Sequence, residues 1–268
     1  MALRLGSKAE AAGYRLAAFD SIGSTNTEAL ARARAGEAGP IWFVTTEQTS
    51  GRGRRQRAWI APRGNLAASV LEVMHVPPSV AATLSFAAGL ALERALQQVS
   101  LEARARGGVA AGFALKWPND VLADGKKLTG ILLEAENVGT DRLAVVVGMG
   151  TNVVAAPDDT PYPAASLHSL GIQVSAEDLF AALSDAWTEI RGIWDEGRGF
   201  GEIRKQWLAR ATRIGEPVSI QSGSATIDGI FETIDDTGCL IVRTADGRRV
   251  PIPAGDVYFR SAASSGAA

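Results

Sequence analysis

Four short apolar runs, Phe113 to Trp117, Val121 to Ala123, Leu128 to Glu136 and Leu143 to Val147, are separated only by tight turn signals such as Asp124-Gly125 and Gly139-Thr140-Asp141. Strands joined this closely must pair antiparallel, because a parallel return needs a crossover of a dozen or more residues. The middle of the chain is thereby committed to an antiparallel sheet, and the flanking segments must pack on it. Ile41 to Thr46 and Leu66 to Val73 read as further strands. Thr25-Asn26-Thr27-Glu28 has capping-box spacing and opens a short helix to Ala35, which puts Ser24 at a helix N-terminus, and Pro77-Pro78 opens a long amphipathic helix to about Val99. Helices are predicted over Ala176 to Trp194 and Phe200 to Ala211. From Gly215 onward, short β segments turn at Gln221-Ser222-Gly223, Asp235 to Gly238 and Ala245-Asp246-Gly247, the pattern of a small β-barrel. The expected fold class is α+β, a mixed, mainly antiparallel sheet flanked by helices and followed by that barrel. Residues 155 to 165, rich in Pro, Asp and Ala, form a loop with little reason to be rigid, of the kind that closes over ligands.

Composition narrows the function classes. With 268 residues, 46% hydrophobic and 21% charged, the chain can bury one full-sized core and a small second domain. A net charge of -2 argues against a broad nucleic-acid surface. The single cysteine, Cys239, excludes an intramolecular disulfide, and no secretory pattern opens the chain, so the cytoplasm is the expected compartment. The apolar stretch from Val80 to Leu96 is interrupted by Ser85, Gly89, Glu93 and Arg94, so no membrane span is expected. The first 18 residues are too few for a helix-turn-helix module, and a DNA-reading head is expected to be absent.

The segment Gly51-Arg52-Gly53-Arg54-Arg55-Gln56-Arg57, closed by Trp59, carries four arginines in seven residues. Arginine offers a planar fork matched to phosphate and carboxylate, and glycine lets the backbone approach a ligand. On charge alone such a cluster is more often a solvated patch, but the glycines, the strand before it and Trp59 after it place it in a structured loop beside a sheet. Two unit anions brought to about 4 Å repel by about 4 kcal/mol at an effective dielectric of 20, roughly a thousandfold in rate. Clustered arginines would recover most of that. Lys116-Trp117-Pro118-Asn119-Asp120 ends a strand and, taken alone, reads as a hairpin corner. In Lys126 to Glu134, strict alternation puts Lys127, Thr129 and Ile131 on the face opposite Leu128 and Gly130, and Gly130 weakens the strand unless something approaches there. Gly148-Met149-Gly150-Thr151-Asn152 reads equally as a simple turn or as a glycine-bracketed turn whose Asn amide meets a purine edge. His75 and His168 lack partners with metal-ligand spacing, and no carboxylate cluster marks a fixed metal site.

In order along the chain, Ser24-Thr25-Asn26, Gln48 with the Gly51 to Trp59 loop, Lys116 to Asp120, Lys127 to Glu134 and Gly148 to Asn152 resemble the motif set of biotin protein ligases, over about Ser21 to Arg260. The resemblance is to group I members, which lack a DNA-binding domain. It implies a class II aminoacyl-tRNA synthetase-like catalytic domain over residues 1–212 and an SH3-like barrel over 213–262, while the closing Ser/Gly/Ala residues, 263–268, read by composition as a disordered tail. It also implies an activity: biotin is activated to biotinyl-5′-AMP with ATP and magnesium, then joined to a lysine of a biotin carboxyl carrier domain. Monomer and homodimer are both compatible with it.

Residue by residue, the resemblance implies that Ser24, Thr25, Asn26 and Gln48 hold the ureido ring, with Gly51, Arg52, Gly53, Arg54, Lys127 and Gly130 completing the biotin site. Arg52, Arg54, Arg55, Arg57, Trp59, Lys116, Asn119, Asn152 and Arg260 would face the adenylate, and Lys127, Arg54 and Arg52 would act on the reacting groups. One position departs from the pattern. Gln56 stands where the family's loop usually has glycine, so the backbone there is expected to differ and the Gln56 side chain to point outward. Lipoate attachment is the nearest rival chemistry. A salt-sensitive nucleic-acid module and a non-catalytic ligand sensor are the rivals from other classes.

Overall fold

The computed structural model describes residues 2–109, 111–158, 160, 162–222, 225–253 and 256–259. Its helices are α1 (Ser7–Ala11), α2 (Thr25–Arg34), α3 (Pro78–Ala81), α4 (Leu84–Ala105), α5 (Ala176–Trp194) and α6 (Phe200–Leu208). The first seven strands are β1 (Arg15–Phe19), β2 (Ile41–Thr45), β3 (Leu66–Met74), β4 (Phe113–Lys116), β5 (Asp120–Ala123), β6 (Lys126–Asn137) and β7 (Leu143–Thr151). They form one sheet in the order β1-β2-β3-β7-β6-β5-β4. Every pairing is antiparallel except β1 with β2, so the sheet is mixed and mainly antiparallel, as the closely spaced runs require.

The two faces of this sheet are covered unequally. On one face α4 and α5 supply the main core, where Trp42 of β2 meets Phe180 and Trp187 edge-on at 5.5 and 6.2 Å. On the other face α2 covers only a small patch, Ala29 and Ala33 packing on Ile41, Phe43, Leu71, Ala144 and Val146. The strands continue past α2, and this uncovered stretch of sheet carries the site.

A separate five-stranded antiparallel sheet follows: β8 (Pro217–Ser222), β9 (Ala225–Ile234), β10 (Leu240–Arg243), β11 (Arg249–Ile252) and β12 (Asp256–Phe259), in the order β11-β10-β9-β8-β12. It matches the small C-terminal barrel expected from the turn spacing. Trp117 Nε1 donates to Gly238 O at 3.3 Å, so the corner after β4 touches this second sheet.

Four details differ from the sequence reading. Helix α1 and strand β1 carry no strong local signal and form because tertiary contacts hold them: Gly6 N donates to Ser184 Oγ at 2.8 Å, and β1 pairs along β2. The long helix starts as α3, breaks at Ala82-Thr83 and runs on to Ala105. Pro78–Ala105 is long and apolar enough by composition to cross a membrane, contrary to expectation, but 72% of its most apolar window is packed inside the protein. Lastly, Gly148 and Gly150 are not in a turn but inside β7. The expected tail and Arg260 lie outside the described residues.

Candidate active site

The N-terminus of α2 lies over the uncovered face of the sheet. Ser24 is its N-cap and accepts from Thr27 N at 3.4 Å, one residue before the cap that the spacing suggested. Ser24, Thr25 and Asn26 are all buried. Gln48, just after β2, accepts from Thr25 N at 2.9 Å and Thr25 Oγ1 at 3.2 Å. Ser69 of β3, which no motif pointed to, places its Oγ 2.7 Å from Thr25 Oγ1 and 2.6 Å from Asn26 Oδ1. Asn26 Nδ2 donates to Glu134 Oε2 at 2.8 Å and to Leu132 O at 3.1 Å. These groups form a polar network buried beside an apolar strand face, the setting in which each unpaired group costs about 1–3 kcal/mol.

The glycines of β6 and β7 make room for this network and for Trp59. A Cβ on Gly148 would stand 2.2 Å from Asn26 Oδ1, and one on Gly150 would stand 2.4 Å from Trp59 Nε1. Gly130, paired with Gly150 across the strands, would meet Trp59 Cζ3 at 3.1 Å. What approaches Gly130 is therefore the tryptophan that closes the arginine loop, and the loop is seated on the sheet through that ring.

Lys127 and Gly130 do not lie on opposite faces. The β5–β6 register runs Asp120 with Gly130, Val121 with Thr129, then Leu122 with Lys127, leaving Leu128 as the extra residue of a bulge. A bulge resets the alternation. Lys127 Nζ accordingly lies 3.6 Å from where a Gly130 Cβ would be, over the same face, and forms an ion pair with Asp120 Oδ1 at 2.7 Å. The Lys127 ammonium also lies 5.7 Å from the Trp59 ring centroid and 5.6 Å from that of Tyr162.

Two cavities meet at Lys127. The smaller is lined by Ser24, Thr25, Asn26, Gln48, Arg52, Gly53, Trp59, Gly130, Gly148 and Gly150. The larger, about 290 Å³, is lined by Arg54, Arg57, Lys116, Asp120, Asn152 and Tyr162, with Gly53, Trp59, Asn119 and Lys127 shared by both. Four cationic side chains and one carboxylate line the larger cavity, a local excess of three positive charges suited to a polyphosphate.

The loop's arginines diverge. Arg52 turns away from the larger cavity, its Nη2 3.3 Å from Glu134 Oε2 and 3.2 Å from Thr27 Oγ1. Arg54 donates to Asn119 Oδ1 at 3.4 Å and Arg57 to the Tyr162 hydroxyl at 3.5 Å. Arg55 is exposed and lines neither cavity. Gln56 is exposed, in line with the expectation that it points outward. Its φ is 60°, the left-handed conformation that glycine adopts freely, and Arg55 before it has φ 55°. Asn119 is anchored through Nδ2 to Ile131 O at 2.7 Å. Asn152 is buried, with Nδ2 on Ala165 O at 3.2 Å and an Oδ1 that has no partner among the described residues.

Tyr162, Asp120, Ser69 and Glu134 were not singled out as site residues in the sequence. Tyr162 lies in the loop after β7, which is less free than its composition suggests: Lys127 N donates to Pro163 O at 2.8 Å and Ala165 N to Lys127 O at 2.9 Å.

Residues 18–152, which contain this arrangement apart from the segment Tyr162 to Ala165, match the biotin/lipoate A/B protein ligase family. The chain belongs to that family. Its residues 214–260 match the biotin protein ligase C-terminal domain. Among ligases of similar sequence is a biotin–[acetyl-CoA-carboxylase] ligase of Paracoccus denitrificans, 43% identical over 88% of this chain and 97% of the relative. Another, from Mycobacterium tuberculosis, is 36% identical over 88% of this chain and 85% of its own length. The fold is that of the biotin protein ligase of Aquifex aeolicus solved with biotin and ATP, at a TM-score of 0.72 and 24% identity over 92% of this chain and 98% of that one.

Proposed function

We propose that this chain is a biotin–protein ligase that activates biotin with ATP and transfers it to a carrier lysine. The observation that carries the reading is the junction at Lys127, where a cavity lined by paired polar groups opens into a cationic cavity. The polar network of Ser24, Thr25, Asn26 and Gln48 suits the ureido ring, whose N–H and C=O groups need partners when buried. In the first step a biotin carboxylate oxygen attacks the α-phosphorus and pyrophosphate leaves. In the second, the ε-amine of a carrier lysine attacks the acyl carbon and AMP leaves.

Lys127 exchanges Asp120 for the reacting carboxylate and α-phosphate, where charge concentrates as the first step proceeds. Arg54 and Arg57 meet the phosphates, and Asn152 Oδ1 accepts from the adenine amino group. Arg52, paired with Glu134, braces the ring end of the site instead of acting on phosphate. Magnesium enters with ATP. Residues 1–212 form the catalytic unit, 213–262 the barrel, and the reaction takes place in the cytoplasm without nucleic acid. A biotin carboxyl carrier domain of a biotin-dependent carboxylase supplies the lysine.

Purified protein mixed with ATP, magnesium, biotin and a biotin carboxyl carrier domain should biotinylate one lysine, read by mass spectrometry. Lipoate in place of biotin should give no product; a preference for lipoate would overturn the assignment. In the same assay Lys127→Ala should lower adenylate formation at least a hundredfold while biotin affinity by calorimetry falls far less. Equal loss of both would remove the division of roles.

A further inference from the structure

Tyr162 occupies an unusual position for a loop residue. Its ring centroid lies 5.1 Å from the Lys116 ammonium and 5.6 Å from the Lys127 ammonium, and its hydroxyl is 3.5 Å from Arg57 Nη1. The three cations come from different parts of the chain: Lys116 ends β4, Lys127 lies near the start of β6, and Arg57 lies in the arginine loop. One aromatic side chain touches all of them. The two ammoniums are no more than about 11 Å apart, since both face the same ring.

The placement is set by backbone. Directly after Tyr162, the Pro163 carbonyl accepts from Lys127 N, and Ala164 bridges to Lys127 in parallel register. Before it, Thr160 Oγ1 donates to Tyr162 O at 2.6 Å, fixing the carbonyl. The ring is thereby delivered beside Lys127 at the wall of the larger cavity, which Tyr162 lines.

Cations gathered to receive a polyanion repel one another until it arrives. An aromatic face attracts a cation through its quadrupole without supplying a charge that would compete with the incoming anion. Asp120 already pairs with Lys127 Nζ at 2.7 Å, and each further carboxylate at this wall would add repulsion toward the phosphates. A phenol ring meets both demands, and its hydroxyl adds an acceptor for the guanidinium.

We propose that Tyr162 is a positioning residue for the nucleotide half of the reaction: its ring holds Lys116 and Lys127, and its hydroxyl holds Arg57, in the arrangement that receives the triphosphate. The inference rests on the reading of the larger cavity as the nucleotide site, and it does not depend on which acid is activated. Removing two cation–π interactions together corresponds to about a tenfold change in affinity.

The test titrates α,β-methylene-ATP, whose α–β link cannot be cleaved, into the full chain with magnesium, with and without biotin, by calorimetry. Tyr162→Leu should weaken nucleotide binding about tenfold and leave biotin affinity unchanged. Tyr162→Phe, which keeps the ring, should recover most of the loss and retain only the part due to Arg57. Nucleotide affinity unchanged in Tyr162→Leu overturns the proposal. So does a parallel loss of biotin affinity, which would make Tyr162 a general brace for the loop, and so does a Phe variant no better than Leu. Because nucleotide binding is read directly, a failure of biotin turnover in the wild-type protein would count against the ligase reading alone.

Discussion

At the scale of single residues, the arginine loop shows how one backbone conformation sorts like side chains into different tasks. Arg55 and Gln56 both sit in the left-handed region, at φ 55° and 60°. The reversal they make sends Arg54 toward Asn119, returns the chain so that Gly53 N donates to Arg57 O at 2.7 Å, and leaves Arg55 and Gln56 exposed. Each non-glycine residue held there costs about 1–2 kcal/mol, whereas glycine would avoid that cost but lose about 0.5–1 kcal/mol through the entropy of the unfolded chain. Gln56→Gly should therefore change thermal stability little, by about 1 kcal/mol or less in the stabilising direction, and leave pyrophosphate exchange within about threefold, since this side chain faces solvent. Gln56→Val, branched at a left-handed position, should destabilise. A Val variant as stable as wild type in thermal unfolding would show that the left-handed turn is not populated.

At the scale of elements, β6 and β7 are a scaffold whose small residues are spaces for other side chains. Gly148 receives Asn26, while Gly130 and Gly150 receive the Trp59 ring. The strand weakening that glycine brings is offset by the ring and by the polar network that it admits. Gly150→Ala should displace Trp59, because a Cβ would stand 2.4 Å from its Nε1 and 2.6 Å from its Cε2. Overpacking of that kind costs about 1–3 kcal/mol, and with the wall between the two cavities moved, pyrophosphate exchange should fall at least tenfold. Tryptophan emission in the folded variant should shift as the indole loses its seat. Unchanged activity in a stable variant would mean that Trp59 does not organise the loop.

At the scale of the whole molecule, the sheet is anchored at its edge by charge as well as by packing. Strand β1 is an edge strand, and its Arg15 forms a bidentate pair with Glu37, at 3.1 Å from Nη1 and 2.5 Å from Nη2. The Arg15 guanidinium, together with the Gly39 N–H, holds the Glu37 carboxyl down at about 2. A carboxyl lowered on folding contributes stability that is present above its unfolded value, near 4.5, and that disappears as pH falls through about 2. Glu37→Gln should thus lower the melting temperature at neutral pH modestly and flatten its decline between about pH 4.5 and 2. Identical pH slopes for variant and wild type would show that another group governs that window.

The same scale separates what could be read from residues from what could not. Element identity and antiparallel pairing from Phe113 to Val147 followed from local periodicity and turn chemistry, which act over a few residues, and the resemblance of the motifs led to the family. Helix α1 and strand β1 escaped because their stability comes from α5 and β2, distant in sequence. Alternation counted along the strand placed Lys127 opposite Gly130, and one extra residue, Leu128, reversed that. No local rule announces a bulge, because it is the register between two strands that makes one. Tyr162 lay in a segment whose composition promised only mobility, and the pairing of Pro163 to Ala165 with Lys127 decided where its ring stands. By itself the sequence determined most of the strands and helices, α1, β1 and the end of β7 apart, and which residue types could handle oxyanions, because those depend on neighbours in the chain. Which cations share a cavity, which arginine turns away to a glutamate and which aromatic ring gathers the rest were decided only by the tertiary structure, because they depend on strand register and on contacts between residues tens of positions apart.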